Sequence, residues 1–235
     1  MTPIRELLGR HAGETIFVVG SGASVDHLGR AFFYGRQVIA INEMFRHVPA
    51  TYCVSHHHEN GQEAIDAGCR LIASDVDLGS AGWGRPAAFR GPYATYRAGT
   101  YVRSVNPTID AQRLREPFGD HLVVSCCTSS EALQFAGHLG AATIIACGLD
   151  GAALDGQTCV TGYNGGAQTN PQHLRLTQGI IRETCAALRE KGIRVFSLSP
   201  FVGADLEGHR FSAPPVLEGR ALLDALGTTN WQETR

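Results

Sequence analysis

Short, β-branched apolar runs recur along the chain, and each stops on a small or polar residue. Ile16 to Val19, Arg36 to Ile41, Thr51 to Val54, Arg70 to Ala73, His121 to Val124, Ala142 to Cys147 and Ile193 to Leu198 all have this form. Runs without polar alternation are expected of strands buried on both faces of a parallel sheet. Between them lie stretches with helical spacing. Thr2 to His11 carries Ile4, Leu7 and Leu8 on one face, and Ser24 is placed to cap a helix through Leu28. Glu59 to Ala67 predicts a short helix. Thr128 to His138 predicts a longer one, with Thr128 and Glu131 in a capping box and Gly140 as the stop. Gln172 to Lys191 keeps Leu176, Ile180, Thr184 and Leu188 in register before Gly192, and Leu217 to Leu226 predicts a final helix.

Strand and helix alternate throughout. The predicted fold class is α/β: a doubly wound, mostly parallel, Rossmann-like sheet with helices on both faces. The 235 residues fit a single nucleotide-binding domain, 1–235. Asp75 to Asp120 breaks the rhythm. It is rich in Gly, Pro, Tyr and Arg, and predicts an insertion or lid of about 75–120, or an oligomer contact.

Composition narrows the function classes. A net charge of −2 argues against broad binding to nucleic acid or membrane surfaces. Lys191 is the only lysine, so a phosphate site would use backbone or arginine. The seven cysteines show no CxxC pairing and sit mostly in apolar runs, which predicts reduced thiols and a cytoplasmic setting. Met1 to His11 lacks the apolar core of a signal peptide, and no run is long enough to span a bilayer.

In an open α/β sheet ligands bind beyond the carboxyl ends of the strands. The residues that follow the strands are Gly20-Ser21-Gly22, Asn42-Glu43, Ser55 to His58, Ser125 to Ser130, Gly148-Leu149-Asp150 and Ser199-Pro200. They are small, hydroxylated or amide-bearing, and suit a ribose, a base edge and a phosphate. The first turn, with Ser24 starting a helix, predicts backbone N–H groups at a helix amino end, a seat for phosphate. His56, His57 and His58 invite a metal. Successive residues on an extended chain point to opposite faces, so at most His56 and His58 could share an ion, and a third ligand would have to come from elsewhere. The expectation is no metal, with His56 and His57 as substrate contacts.

The order VVGSGAS, AIN, CCTSS, ACGLD, a His opening the next helix, then a strand ending SP, resembles the sialyltransferase family that includes the bacterial lipooligosaccharide enzymes. It is also similar to the wider superfamily that holds proteins of unknown function and archaeal hydroxymethyl-dihydropterin pyrophosphokinases. The likeness covers most of Phe17 to Phe201. It implies a nucleotide site at Gly20, Ser21, Gly22, Ser24, Asn42, Thr128, Ser129, Ser130, Gly148, Leu149 and Asp150. It also implies a general base at His173, which would take the proton of an acceptor hydroxyl. Two departures stand out. Where the family has tyrosines for the departing phosphate, this chain has Ala152 and about Thr158, with Tyr163 or Arg175 as replacements to consider. Where the pyrophosphokinases have acidic residues after the third strand, it has histidines.

Three functions follow as expectations. The first is a metal-independent glycosyltransferase that uses a nucleotide-sugar donor of the CMP type and an unknown hydroxyl acceptor, without a cofactor. The second is a Mg²⁺-dependent nucleotide phosphotransferase or pyrophosphotransferase, with Asp150 and Asp155 as ligands. The third is a non-catalytic nucleotide- or sugar-binding protein. The family is often oligomeric, so a homo-oligomer is a further expectation.

Overall fold

The structure is a computed structural model that describes residues 2–75, 88–98, 110–151, 157–164 and 171–198, with the side chains of His27, Pro171 and Arg175 outside that description. One sheet organises it. Its strands are β1 (Thr2–Pro3), β2 (Thr15–Val19), β3 (Gln37–Ile41), β4 (Tyr52–Ser55), β5 (Arg70–Ser74), β6 (Tyr93–Ala98), β7 (His121–Leu122), β8 (Thr143–Cys147) and β9 (Arg194–Ser197). The order is β1-β6-β5-β4-β3-β2-β8-β9, with β7 beside β6, and every pairing is parallel. The helices are α1 (Gly61–Asp66), α2 (Ala111–Leu114), α3 (Thr128–His138) and α4 (Pro171–Glu190).

Alternate residues of each strand serve two cores, which is why the strand sequences are apolar throughout. Ile16 and Val18 pack with Leu133, Phe135, Ile180 and Leu188, residues of α3 and α4, on one face. Phe17 and Val19 pack with Phe33, Met44, Phe45 and Ile65 on the other. That second face is covered by α1 and by short 3-10 turns at Ala23–His27, Arg30–Phe33 and Asn42–Arg46.

From β2 the chain steps outward through β3, β4, β5 and β6, then returns to β8 on the other side of β2. The strand order therefore reverses between β2 and β8, and the crevice beyond their carboxyl ends is where this architecture places ligands.

Four elements differ from expectation, each for a physical reason. Thr2–Pro3 pairs with β6, and only Ile4–Leu7 coils, as a 3-10 turn with Ile4 and Leu7 buried. An i,i+3 apolar pair fits a 3-10 turn as well as an α-helix, and Leu8 is left 53% exposed. Ala23–His27 is also a 3-10 turn, capped by Gly22 without a side-chain bond. Residues 93–98, inside the stretch read as an insertion, form β6, with Ala94 and Tyr96 fully buried in the sheet. The strand expected to run to Val124 ends at Leu122. Beyond it the Val123 N–H donates to Gln134 Oε1 (2.7 Å), and Gln134 Nε2 donates to the Val123 carbonyl (2.9 Å). One side-chain amide thus replaces a neighbouring strand. The helix expected at 217–226 lies outside the described residues.

Gln134→Leu keeps the volume and leaves both backbone groups of Val123 unpaired in the interior. It is expected to lower stability by about 1–3 kcal/mol, read as a fall in the urea midpoint at unchanged slope.

Candidate functional site

The turns that leave β2 and β8 lie against each other. Gly20 N–H donates to the Cys147 carbonyl (2.9 Å), and Gly22 N–H donates to the Gly148 carbonyl (2.8 Å). A Cβ on Gly20 would stand 2.8 Å from the Gly148 oxygen, and one on Gly22 would stand 2.5 Å from Asp150 Oδ2. Gly148 itself has φ +63°, and a Cβ there would collide with the Gly20 carbonyl. The glycines are needed for this close approach of two backbones.

The Asp150 carboxylate fills the space at the start of the Ala23–His27 turn. Its Oδ2 accepts from Ser24 N–H (2.9 Å) and its Oδ1 from the Ser24 hydroxyl (2.6 Å). The phosphate seat expected on Gly20, Gly22 and Ser24 is therefore occupied from within: the Gly22 and Ser24 N–H groups already have acceptors, one of them a carboxylate. Ser24 is 3% exposed and serves to hold Asp150.

Next along the strand ends stands Asn42, the one non-glycine residue with positive φ (+51°) among those described. Asparagine tolerates the left-handed region better than most residues, and such strain concentrates at functional sites. Its Oδ1 accepts from the Ser55 hydroxyl (3.1 Å). Ser55 Oγ also accepts from His57 N–H (3.1 Å), which turns the chain sharply after β4. Ser125 makes the same turn with Cys127 N–H (3.1 Å) ahead of α3.

The helix start differs from the expected capping box. Cys127 holds the cap position, and Thr128 is the first helical residue. Glu131, fully buried, reaches back past the cap to accept from Ser125 N–H (2.7 Å). Its other oxygen, Oε2, lies 3.2 Å from His56 Nε2, an ion-pair distance without hydrogen-bond alignment. Ser130 is also fully buried, and its hydroxyl is 2.8 Å from that of Thr184. It joins α3 to α4 and lies off the cavity wall.

These turns enclose one cavity of about 320 Å³, at the small end for ligand sites. Gly20, Ser21, Gly22 and Asn42 line it from β2 and β3, His56 and His57 from β4, and Thr128 and Ser129 from α3. Gly148, Leu149 and Asp150 line it from β8, and His173 from the first turn of α4. Tyr163 stands on the same wall, as does Thr158. Their loop is fastened to the glycine turn, because Val160 N–H donates to the Ser21 carbonyl (2.8 Å) and Thr161 Oγ1 donates to Asp26 Oδ2 (2.8 Å). Of the expected residues, Ser24 and Ser130 are structural, and the Arg175 side chain lies outside the described residues, as do Ala152, Asp155, Ser199 and Pro200. Sequence reasoning missed the apolar part of the wall, Ile41, Leu174 and Ile181, which strand-end listing passes over because it selects polar residues. It also missed Glu131 as a support; its signal is a lone carboxylate in the otherwise apolar or neutral Thr128–His138 segment.

No Lys or Arg side chain lines the cavity among the described residues. Its ionisable groups include Asp150, the histidines, the thiols and Tyr163, whose phenol burial pushes up, with Glu43 adding to the effect. Burial also drives the Cys126 thiol up to about 11, so at neutral pH it is a protonated wall residue and a poor nucleophile. Among the described residues no three His, Cys, Asp or Glu side chains gather as a metal set.

No protein-family model and no curated protein matches the chain. Among solved structures it is similar to a D-allulose 3-epimerase from Methylomonas sp. in complex with D-allulose, at 14% identity and TM-score 0.22. The likeness covers 92% of this chain, which spans 59% of that one. At that score it carries no argument about activity.

Gly148→Ala is expected to cost at least about 1–2 kcal/mol, from the left-handed conformation alone. The collision with Gly20 adds to that cost. A chemical denaturation midpoint indistinguishable from wild type would show that the two turns do not need their close approach.

Proposed function

We propose that the chain is a transferase of the sialyltransferase-like type, using a nucleotide-sugar donor of the CMP class and a hydroxyl acceptor, without a resident metal or cofactor. The observation that carries the reading is the convergence of loops from β2, β3, β4 and β8 and the amino end of α4 on one cavity at the reversal of strand order. Its wall divides chemically. Hydroxyl, amide and glycine backbone groups suit a ribose and a base edge, while Ile41, Leu149, Leu174 and Ile181 supply an apolar surface for ring faces.

In this reading the acceptor oxygen attacks the anomeric carbon and its proton passes to His173. The bond to the nucleotide phosphate breaks with its electron pair left on the phosphate oxygen. His173 is half-buried on the cavity wall and thus accessible to a bound acceptor. An imidazole changes charge near neutral pH, which suits it to this task.

A thermal-shift panel of CMP, CDP, UDP, GDP and ATP, with and without Mg²⁺, tests the reading. Stabilisation by CMP or CDP without metal is expected. Stabilisation by ATP with Mg²⁺ alone would replace the reading with phosphoryl transfer. His173→Ala is expected to slow transfer from a CMP-sugar by about 10²-fold or more with nucleotide affinity retained. Binding of nucleotide with no transfer to any acceptor and no donor hydrolysis would indicate a binding protein.

A further inference from the structure

The Gly20, Gly22 and Ser24 N–H groups of the glycine turn are already bonded to Cys147, Gly148 and Asp150, and the Asp150 carboxylate beside them repels an anion, so the ligand's negative charge is better placed elsewhere in the cavity. Asp150 gives the β8 end a carboxylate, and no Lys or Arg side chain lines the wall among the described residues. The groups that can carry positive charge there are histidines. His56 differs from the other two lining the cavity, His57 and His173, because a buried acid stands behind it. Glu131 has no exposed surface and one backbone N–H on Oε1, and its remaining oxygen faces His56 Nε2 at 3.2 Å. A carboxylate so far from water is costly unless a positive group stands beside it. The His56 ring is the basic group that stands there. Its Nε2 is buried against Glu131. The nitrogen left for the cavity is Nδ1, on a residue that is 8% exposed.

We propose that His56, held by Glu131, binds the phosphate of the ligand at the β4 end of the cavity, while the glycine turn and Asp150 face its hydroxyl-bearing part. β4 and β8 are separated by β3 and β2. Three inter-strand spacings, about 14 Å, thus keep the phosphate away from the Asp150 carboxylate. Thr128 and Ser129 line the same cavity with the first turn of α3. The proposal rests on the nucleotide-sugar reading for its consequence in catalysis. As the bond from sugar carbon to phosphate oxygen breaks, the electron pair stays on that oxygen and the acceptor proton goes to His173. His56 keeps its proton and donates a hydrogen bond to the growing charge. Glu131 acts through His56 and is a positioning residue.

The test is calorimetric titration of the full chain with CMP, cytidine and inorganic pyrophosphate, together with long-range ¹⁵N–¹H spectra of the histidine rings. CMP is expected to bind at least about tenfold tighter than cytidine, equivalent to about 1.4 kcal/mol. His56→Gln is expected to bring CMP to the level of cytidine and to abolish pyrophosphate binding, with cytidine unchanged. Glu131→Gln is expected to do the same in part and to move the His56 ring nitrogens out of the imidazolium range. Should that variant not fold, His56→Gln and the wild-type ring spectrum decide. Retention of the CMP advantage or of pyrophosphate binding in His56→Gln overturns the proposal, as does absence of both in the wild type. Pyrophosphate binding that depends on His56, with no nucleotide binding in the wider panel, supports the anion site and rejects the nucleotide reading.

Discussion

The contact on which the site depends is the backbone-to-backbone seam between the turns after β2 and β8. Two hydrogen bonds cross it, from Gly20 to Cys147 and from Gly22 to Gly148, and there is no room for a Cβ on either side. The seam sits where the strand order reverses. It brings Asp150 under Ser24, and with the Val160–Ser21 bond it fixes the loop that carries Tyr163. In many α/β proteins the first glycine turn offers its N–H groups to a phosphate. Here the Gly20, Gly22 and Ser24 N–H groups are bonded to the neighbouring turn, which sets a carboxylate at this end of the cavity.

That polarity runs along the sheet edge. A carboxylate at the β8 end faces an imidazole–carboxylate pair at the β4 end, with Asn42 held between them in a left-handed conformation. α3 supports the imidazole end. Its buried polar side chains turn inward to hold backbone that has no strand beside it, Gln134 for Val123 and Glu131 for Ser125. The same helix thus closes the sheet's irregular edge and sets the chemistry of the cavity.

Much of this was legible in the sequence. Apolar runs gave most of the strands to within a residue or two, because strands buried on both faces leave no alternative pattern. The polar residues after each run gave most of the cavity wall, because a parallel sheet brings all its carboxyl ends to one edge. What the sequence hid was which partner each polar group would choose. Ser24 read as a helix cap, yet it holds Asp150. Ser130 read as a nucleotide contact, yet it faces Thr184. Glu131 read as half of a capping box, yet it accepts from Ser125 and stands 3.2 Å from His56. Each choice is made by a residue distant in sequence, and spacing carries no information about it. β6 was hidden for another reason. Its tyrosines and small residues resemble the aromatic, arginine-rich chain around them, and only pairing with β5 and β1 separates it.

The central claim is that loops from one edge of the sheet, meeting at the reversal between β2 and β8, hold a nucleotide. Titration of CMP while following backbone amide shifts tests it most directly. Ser21, Asn42, Ser129 and Leu149 are expected to shift together with a single dissociation constant. The turns entering the strands at the opposite edge, Gly13, Gly68, Gly140 and Gly192, should stay still. Shifts confined to that opposite edge, or no shifts with any of the five nucleotides, would contradict it.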